Sequence, residues 1–267
     1  MMNLHTPTFR KPAVAGLFYP ADERQLSNGL KRLMADARPY KLSPKALIVP
    51  HAGYIYSGVI AATAYATLIA RREIIKRVIL LGPAHRVAVR GLALPGADYF
   101  DTPLGAVEVD KAAIQSIADL PQITISPEAH CLEHALEVQL PFLQYVLADF
   151  SVLPLVVGTA SAQEVAEVLD TVWGGDETLI VISSDLSHYL PYAMARQADH
   201  ATVQSILQLE QSVTHEQACG GTPINGLIVA AQRHHLKPIL LDLRNSGDTA
   251  GTRDQVVGYA AIAFCGQ

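Results

Sequence analysis

The 267-residue sequence has little cysteine, no basic stripe and no long apolar run, and each shortage argues against one class of protein. Cys131, Cys219 and Cys265 are an odd number of cysteines in a chain of this length, so they do not suggest a disulfide framework. The 20 lysines and arginines are scattered along the chain, which gives nucleic-acid binding little electrostatic support. The richest apolar stretch, residues 59–70, is too short to span a membrane.

The N-terminal stretch also lacks a targeting signature. Residues 1–14, MMNLHTPTFRKPAV, contain no unbroken apolar core of the kind that signal peptides have. We therefore expect a cytoplasmic protein that binds neither membranes nor nucleic acid. Half of the residues are hydrophobic and 17% are charged, which is typical of a compact globular protein. We find no repeat, low-complexity tract or linker, and we predict a single domain over residues 1–267.

Apolar runs alternate with amphipathic segments along most of the chain, which predicts an α/β fold. The predicted strands lie at residues 46–49, 78–81, 151–157, 179–182, 239–243 and 256–264. The predicted helices follow Asp22, cover residues 59–71, follow the capping box that begins at Ser161, and cover residues 193–209 and 224–233. This order favours a mixed, largely parallel central sheet that is flanked by helices on both faces.

Three further local predictions concern segments with weaker patterns. Short strands at residues 91–95 and 106–109 are predicted to form a hairpin. Leucines at helical spacing predict a helix within residues 128–150, with a kink or a new start at Pro141. Thr222 and Pro223 are predicted to supply the N-cap and the first turn of the helix 224–233.

Histidines follow three of the predicted strands, at the points where those strands end. His51 follows strand 46–49, His85 follows strand 78–81, and His188 follows strand 179–182. Ligand sites in open α/β sheets form beyond the carboxyl ends of the strands. Neutral imidazole is the side chain that most often binds metal ions in proteins. The sequence therefore predicts that His51 and His85 share one ion.

Other candidate functional residues lie near these strand ends. Cys219 precedes a predicted helix whose N-terminus would favour the thiolate, and two imidazoles with one thiolate would leave coordination positions open. Asp185 could fix the tautomer of His188, which could then move protons; alternatively His188 is itself a ligand and Asp185 its partner. Ser183 and Ser184 suggest a Ser-His-Asp triad only weakly, because no G-x-S-x-G motif surrounds them.

A competing hypothesis comes from residues 130–134, HCLEH. These residues match the H-x-x-E-H pattern of zinc peptidases, in which two histidines four apart on a helix bind one ion. Glu137, three residues after His134, could form a pocket wall or a contact on a helix surface. Tyr54 and Tyr56 adjoin His51 and could line a pocket for a planar or phenolic ligand.

Five motifs taken together resemble those of the Memo-like family, in the family's order and over nearly the whole chain. The motifs are AGLFYP at 15–20, VPHAGY at 49–54 with SG at 57–58, LGPAH at 81–85, EHALE at 133–137 and SSDLSH at 183–188. The family is similar in fold to the class III extradiol dioxygenases, which bind non-haem Fe(II) through two histidines and a glutamate. Memo-like proteins are described as having a cysteine where the glutamate would be.

The resemblance implies a set of site residues. The implied metal ligands are His51, His85 and Cys219, and His188 would match the acid/base histidine of the dioxygenases, with Asp185 beside it. The residues expected in the pocket are Tyr54, His134, Glu137 and Ser184.

The expected function is that of a Memo-like metal-binding protein. We expect a non-haem Fe(II)-dependent oxidoreductase of unknown substrate with a dioxygenase-like pocket, and copper or zinc are the other metals considered. The alternative is a non-catalytic module that uses the same pocket for a phosphorylated or acidic peptide or other ligand. Its partner would be an unknown small molecule or peptide. Prokaryotic members of the family often occur with a radical-SAM protein and an AMMECR-type protein, which are possible partner proteins.

Overall fold

The computed structural model of the protein describes residues 6–38 and 40–266. Within these residues the strands are β1 Phe9–Arg10, β2 Pro44–Val49, β3 Arg77–Pro83, β4 Leu92–Leu94, β5 Tyr99–Thr102, β6 Gly105–Val109, β7 Ile123–Ile125, β8 Ser151–Val157, β9 Thr178–Ser183, β10 His188–Leu190, β11 Lys237–Asn245 and β12 Val256–Cys265. The helices are α1 Glu23–Ala35, α2 Tyr54–Ala66, α3 Lys111–Ile117, α4 Pro127–Cys131, α5 Leu140–Val146, α6 Ala162–Thr171, α7 Tyr192–Leu207 and α8 Gly221–Arg233. Short 3₁₀ turns cover Ile69–Arg71, Glu137–Gln139 and Ser246–Asp248.

The strands form one sheet whose centre is parallel. Along the sheet the order is β1-β5-β6-β8-β3-β9-β2-β12-β10, with β11 on β12 and with β4 between β7 and β8. Strands β8, β3, β9 and β2 run parallel, whereas β12 is antiparallel to both β2 and β11. The register pairs Val49 of β2 with Ser183 of β9, and Leu81 of β3 with Ile182 of β9. The carboxyl ends of these three strands therefore lie side by side, and the predicted mixed α/β fold is confirmed.

The central strands are apolar along their whole length because both faces of the sheet are covered. Successive side chains of a strand point to opposite faces. Leu47 and Val49 accordingly belong to one buried apolar cluster, and Ala46 and Ile48 belong to the other. Helices α1, α2 and α5 contribute to the first cluster, and α6 and α8 contribute to the second. This packing holds the strand ends rigidly. Among the described residues, no helix combines the length and apolar character needed to cross a membrane.

The predicted hairpin between residues 91–95 and 106–109 is wrong in its pairing. Strand β4 pairs with β7 and β8, whereas β6 forms its antiparallel hairpin with β5. The sequence prediction missed β5 as a strand. Its alternating burial shows why it forms one, because Phe100 and Thr102 point inward and their neighbours do not.

The helix predicted within residues 128–150 is interrupted, and the new start predicted at Pro141 is confirmed, because Pro141 lies in the first turn of a second short helix. Helix α4 ends at Cys131, and α5 begins only at Leu140. Between them the Glu133 carboxylate accepts the backbone N–H groups of His134 and Ala135, so a side chain replaces the helical carbonyl partners. The residues at helical spacing from Leu136 onward are nevertheless buried, so the apolar pattern reports burial here and not a continuous helix.

Two of the predicted helix starts are confirmed, and two helices begin at other residues than predicted. Asp22 accepts from the Gln25 N–H, and Ser161 forms a capping box with Glu164, so both predicted caps are confirmed. Helix α8 instead begins at Gly221 with Gly220 as its N-cap, so Thr222 lies inside the helix. Helix α2 begins at Tyr54, five residues before the predicted start, and the Tyr54 N–H donates to the Phe18 carbonyl.

Candidate metal centre

Three histidine rings converge at the carboxyl ends of β2 and β3. His51 and His85 each lie two residues beyond their strand, and His134 lies in the segment between α4 and α5. Their ligand nitrogens all lie within 4.8 Å of one another. The His51 ring meets the other two edge-on, at centroid distances of 5.2 and 5.3 Å. This group can hold a metal ion.

His51 is the most deeply buried of the three, with an exposed fraction of 2%. Its backbone N–H donates to Asp185 Oδ1 at 2.8 Å, and its ring Nδ1 lies 3.0 Å from Ser183 Oγ. Burial, and then the neighbouring His85, lower the pKa of His51 from 6.5 to about 3. The imidazole is therefore neutral at physiological pH, which is the form that binds metal ions.

His85 is oriented by a buried carboxylate. Its ring Nδ1 lies 2.9 Å from Glu133 Oε1, and its backbone N–H donates to Glu133 Oε2 at 2.7 Å. Burial alone would raise the pKa of Glu133, but the hydrogen bonds and charge interaction with His85 outweigh it and lower that pKa to about 2. A histidine whose second ring nitrogen donates to a carboxylate is the usual arrangement of metal-binding histidines.

His134 completes the group from the side of the α4–α5 segment. Its ring stacks on His85 at 4.8 Å and also contacts Phe18 at 4.8 Å. Burial, followed by the nearby His51, lowers the pKa of His134 to about 4. All three rings therefore lie close enough to share an ion, and two of them are held neutral by burial.

The histidines lie at the wall of a cleft of about 890 Å³. Asp185 and His188 line the same cleft, as predicted from the end of the third strand. Asp185 is buried, and this raises the pKa of its carboxyl group. The remaining walls are partly aromatic, with Phe18, Tyr56, Tyr189 and Tyr259.

Cys219 lies beside His51 but outside the histidine group. Its Sγ is 3.4 Å from His51 Nε2, and it lines a separate cavity of about 560 Å³ that also reaches His85. Burial, together with the nearby Asp185 carboxylate, raises the pKa of Cys219 to about 12. The expected stabilisation of the thiolate by the start of α8 is therefore outweighed, and the thiol is protonated at neutral pH.

Comparison with known proteins decides the family. Residues 10–263 match the family described as Memo-like protein. The chain belongs to the Memo-like family. A MEMO1 family protein of Aquifex aeolicus (strain VF5) is 39% identical, with 96% of this chain and 98% of that protein covered. A MEMO1 family protein of Methanosarcina barkeri (strain Fusaro) is 35% identical, with 95% and 98% covered.

A solved structure supports the fold of this Memo-like protein. The crystal structure of the uncharacterized protein JW3007 from Escherichia coli K12 aligns with a TM-score of 0.53. The alignment covers 80% of this chain and 98% of that chain, at 15% sequence identity. A likeness at that identity concerns the fold alone.

Three residues expected in the pocket of this Memo-like protein lie outside the cleft lining. The Tyr54 hydroxyl donates to the Val138 carbonyl within the core. Glu137 has no exposed surface and accepts four hydrogen bonds from the N-terminal segment. Ser184 Oγ accepts from the Gly220 N–H and donates to the Asp185 carbonyl. His134 does line the cleft, and so does Tyr56.

The zinc peptidase hypothesis does not fit this Memo-like protein. His130 is buried, and its Nε2 lies 2.7 Å from the Ala93 carbonyl oxygen. His134 lies beyond the end of α4, so the two histidines do not share a helix face. Among the described residues, His130 does not belong to the group that can hold a metal ion.

The sequence prediction missed Glu133 as a functional residue. The residue lies in the family motif EHALE, but its spacing to His85 in sequence carries no information about their contact. The available signal in the sequence is that Glu133 is an acidic residue directly before His134. Only the fold brings Glu133 to His85.

Proposed function

We propose that this Memo-like protein is a non-haem Fe(II)-dependent oxidoreductase that binds its ion at His51 and His85 and its substrate in the adjoining cleft. The observation that supports this most directly is the group of ligand nitrogens within 4.8 Å of one another at the cleft wall. When bound, a ferrous ion with three protein ligands would leave positions open for dioxygen and a substrate oxygen and would supply electron transfer between them.

The donor set fits a divalent transition metal ion. Imidazole suits iron, copper and zinc, and burial keeps the His51 and His134 rings neutral. The carboxylate of Glu133 orients His85 and increases the basicity of its ring. Aromatic side chains on the cleft walls exclude water from one side of a bound substrate and favour a planar one.

Two residues compete for the role of third ligand. His134 is favoured by its position within the histidine group. Cys219 is favoured by the family resemblance and by its 3.4 Å distance from His51 Nε2, but its thiol must lose a proton on binding. The two sets share His51 and His85, so these two residues carry the proposal.

His188 is the residue proposed to move a proton between substrate and solvent. It lines the cleft, is partly buried, and lies at the start of β10 with its backbone paired to β12. A histidine held in this way can accept a proton from a substrate at the cleft wall and pass it to solvent. Asp185 lines the same cleft, and its carboxyl group interacts electrostatically with His188.

The test is Fe(II) binding measured by titration under anaerobic conditions, with bound iron counted by elemental analysis. We expect one iron per chain in the wild type and its loss in His51→Ala and His85→Ala. His134→Ala and Cys219→Ser identify the third ligand, because only the variant of the true ligand loses iron. His200→Ala, which removes an exposed histidine on α7, is the matched control. Retention of iron by both His51→Ala and His85→Ala would refute the site.

Arg86 supports the second candidate function, a non-catalytic module for an acidic or phosphorylated ligand. It lines the cleft and supplies a positive charge there. A fluorescent phosphotyrosine peptide provides the probe. Binding that survives chelation of all metal and is lost in Arg86→Ala would favour this function over the oxidoreductase.

A further inference from the structure

We infer that residues 133–139 are a positioning device that fixes the ring tautomers of both His51 and His85, through Glu133 and Ser183, so that each presents an unprotonated Nε2. The tautomers are properties of the chain itself. Their consequence for metal affinity rests on the proposed function. Two hydrogen-bond networks, one for each ring, carry this inference.

The first network fixes His85. Glu133 Oε1 accepts from the His134 and Ala135 backbone N–H groups, each at 2.9 Å, and lies 2.9 Å from His85 Nδ1. Glu133 Oε2 accepts the His85 backbone N–H at 2.7 Å. A carboxylate that already accepts hydrogen bonds from several N–H groups carries no proton of its own. The hydrogen between Glu133 and His85 therefore belongs to His85 Nδ1. A neutral ring protonated at Nδ1 has its lone pair at Nε2.

The second network fixes His51 through a hydroxyl group. Ser183 Oγ donates to the Ala135 carbonyl at 2.6 Å, which uses its only proton. It also accepts from Gln139 Nε2 at 2.8 Å. The remaining neighbour, His51 Nδ1 at 3.0 Å, must therefore act as a donor. The His51 lone pair consequently lies at Nε2, the nitrogen that faces Cys219.

The orientation of the Gln139 amide is fixed as well. Its Oε1 accepts from the Tyr65 hydroxyl at 2.9 Å, and its Nε2 donates to the Pro50 carbonyl at 2.9 Å. Reversing the amide would place its oxygen against the Pro50 carbonyl oxygen and turn a donor away from Ser183. The network therefore admits one arrangement of hydrogens.

One short segment supplies the carboxylate that contacts His85 and the two groups that orient the Ser183 hydroxyl, the Ala135 carbonyl and the Gln139 amide. Glu133, Ala135 and Gln139 lie within residues 133–139, and Arg10 anchors this segment by donating to the Glu133 carbonyl at 2.5 Å. The segment departs from the helix that its leucine spacing predicts. In a continuous helix Glu133 could not accept the His134 and Ala135 N–H groups, so this departure allows the carboxylate to accept them and to contact His85.

The test is histidine tautomer assignment by long-range ¹H–¹⁵N NMR on the wild-type chain with no metal added, at pH 7.5. We expect both His51 and His85 to be protonated at Nδ1. Ser183→Ala removes the acceptor for His51 and should give a mixture of His51 tautomers while His85 keeps its own. Glu133→Gln should alter His85 and leave His51 unchanged. Ser184→Ala, which removes a neighbouring buried hydroxyl with no bond to either ring, is the matched control.

If Ser183 and Glu133 only stabilised the fold, their variants would not each change the tautomer of one ring and leave the other unchanged. Unfolding is monitored separately by circular dichroism. An Nε2–H tautomer of either ring in the wild type, or a His51 ring unaffected by Ser183→Ala, would overturn the inference. Affinity for Co(II), a spectroscopic probe of the same ligands, is expected to fall about 10- to 100-fold in Ser183→Ala. If the tautomers are as expected but the wild type binds no metal, the inference stands and the proposed function fails.

Discussion

Replacing Glu137 with glutamine should destabilise the protein without removing the metal site. Glu137 is fully buried and pairs with Arg10, whose exposed fraction is 7%. It also accepts from the Ala13 and Val14 N–H groups and from the Tyr19 hydroxyl, at 2.7, 3.0 and 2.6 Å. Glu137→Gln keeps the shape of the side chain but leaves the Arg10 charge buried and uncompensated.

The magnitude follows from the cost of a buried charge without its partner. Breaking such a pair by neutralising one member costs about 3–5 kcal/mol of the free energy of unfolding. In a chain of this size each 1 kcal/mol lowers the melting temperature by about 2–4 °C, so we expect a decrease of roughly 10 °C. A backbone N–H group that then faces the NH2 group of the glutamine amide adds to this cost.

The assay is urea unfolding and thermal unfolding followed by circular dichroism, together with Fe(II) binding by the folded variant. Glu73→Gln, which neutralises an exposed glutamate, is the matched control and should leave stability unchanged. A Glu137→Gln protein as stable as the wild type but unable to bind metal would refute the reasoning. That outcome would return Glu137 to the pocket role that the sequence predicted.

Two further predictions follow from buried titratable groups. Burial lowers the pKa of His130 from 6.5 to about 4, so the unfolded chain takes up a proton that the folded chain does not. We expect His130 to contribute about 3 kcal/mol to the decrease in the free energy of unfolding between pH 6.5 and 4, and His130→Asn to remove that contribution in urea unfolding. Because the pKa of Cys219 is about 12, its alkylation by iodoacetamide at pH 8 should be about 1,000-fold slower than that of an ordinary cysteine.

Each of these two predictions is checked against a comparison protein or a comparison residue. A His130→Asn protein with the same pH dependence as the wild type would show that His130 titrates normally in the folded state. Peptide mass spectrometry compares Cys219 with the exposed Cys131 in the same sample. Equal labelling rates at the two cysteines would contradict the raised pKa of Cys219.

The positions of His51, His85 and His188 could be predicted from the sequence because each depends on a local pattern. A run of apolar residues ends in Gly, Pro or Ser, and a histidine follows within a few residues. The parallel order of β3, β9 and β2 then brings the three ends together. Local patterns and the rules for parallel sheets were enough for this part of the site.

Glu133 and the pairing of β6 could not be predicted because they depend on contacts distant in sequence. Glu133 contacts His85 across 48 residues, and its hydrogen bonds to two backbone N–H groups prevent the helix that the leucines predict. Strand β6 pairs with β5, whose short sequence lacks a strong apolar pattern. In both places a long-range contact decides between local structures of similar propensity.

The central claim is that His51 and His85 bind one metal ion, and an anomalous difference map tests it most directly. Crystals soaked with Fe(II) without oxygen should show one strong peak above the iron absorption edge, about 2 Å from Nε2 of both His51 and His85. The same peak would identify His134 or Cys219 as the third ligand by its distance. A map with no peak between these two rings, from crystals with an ordered cleft, would contradict the proposed metal centre.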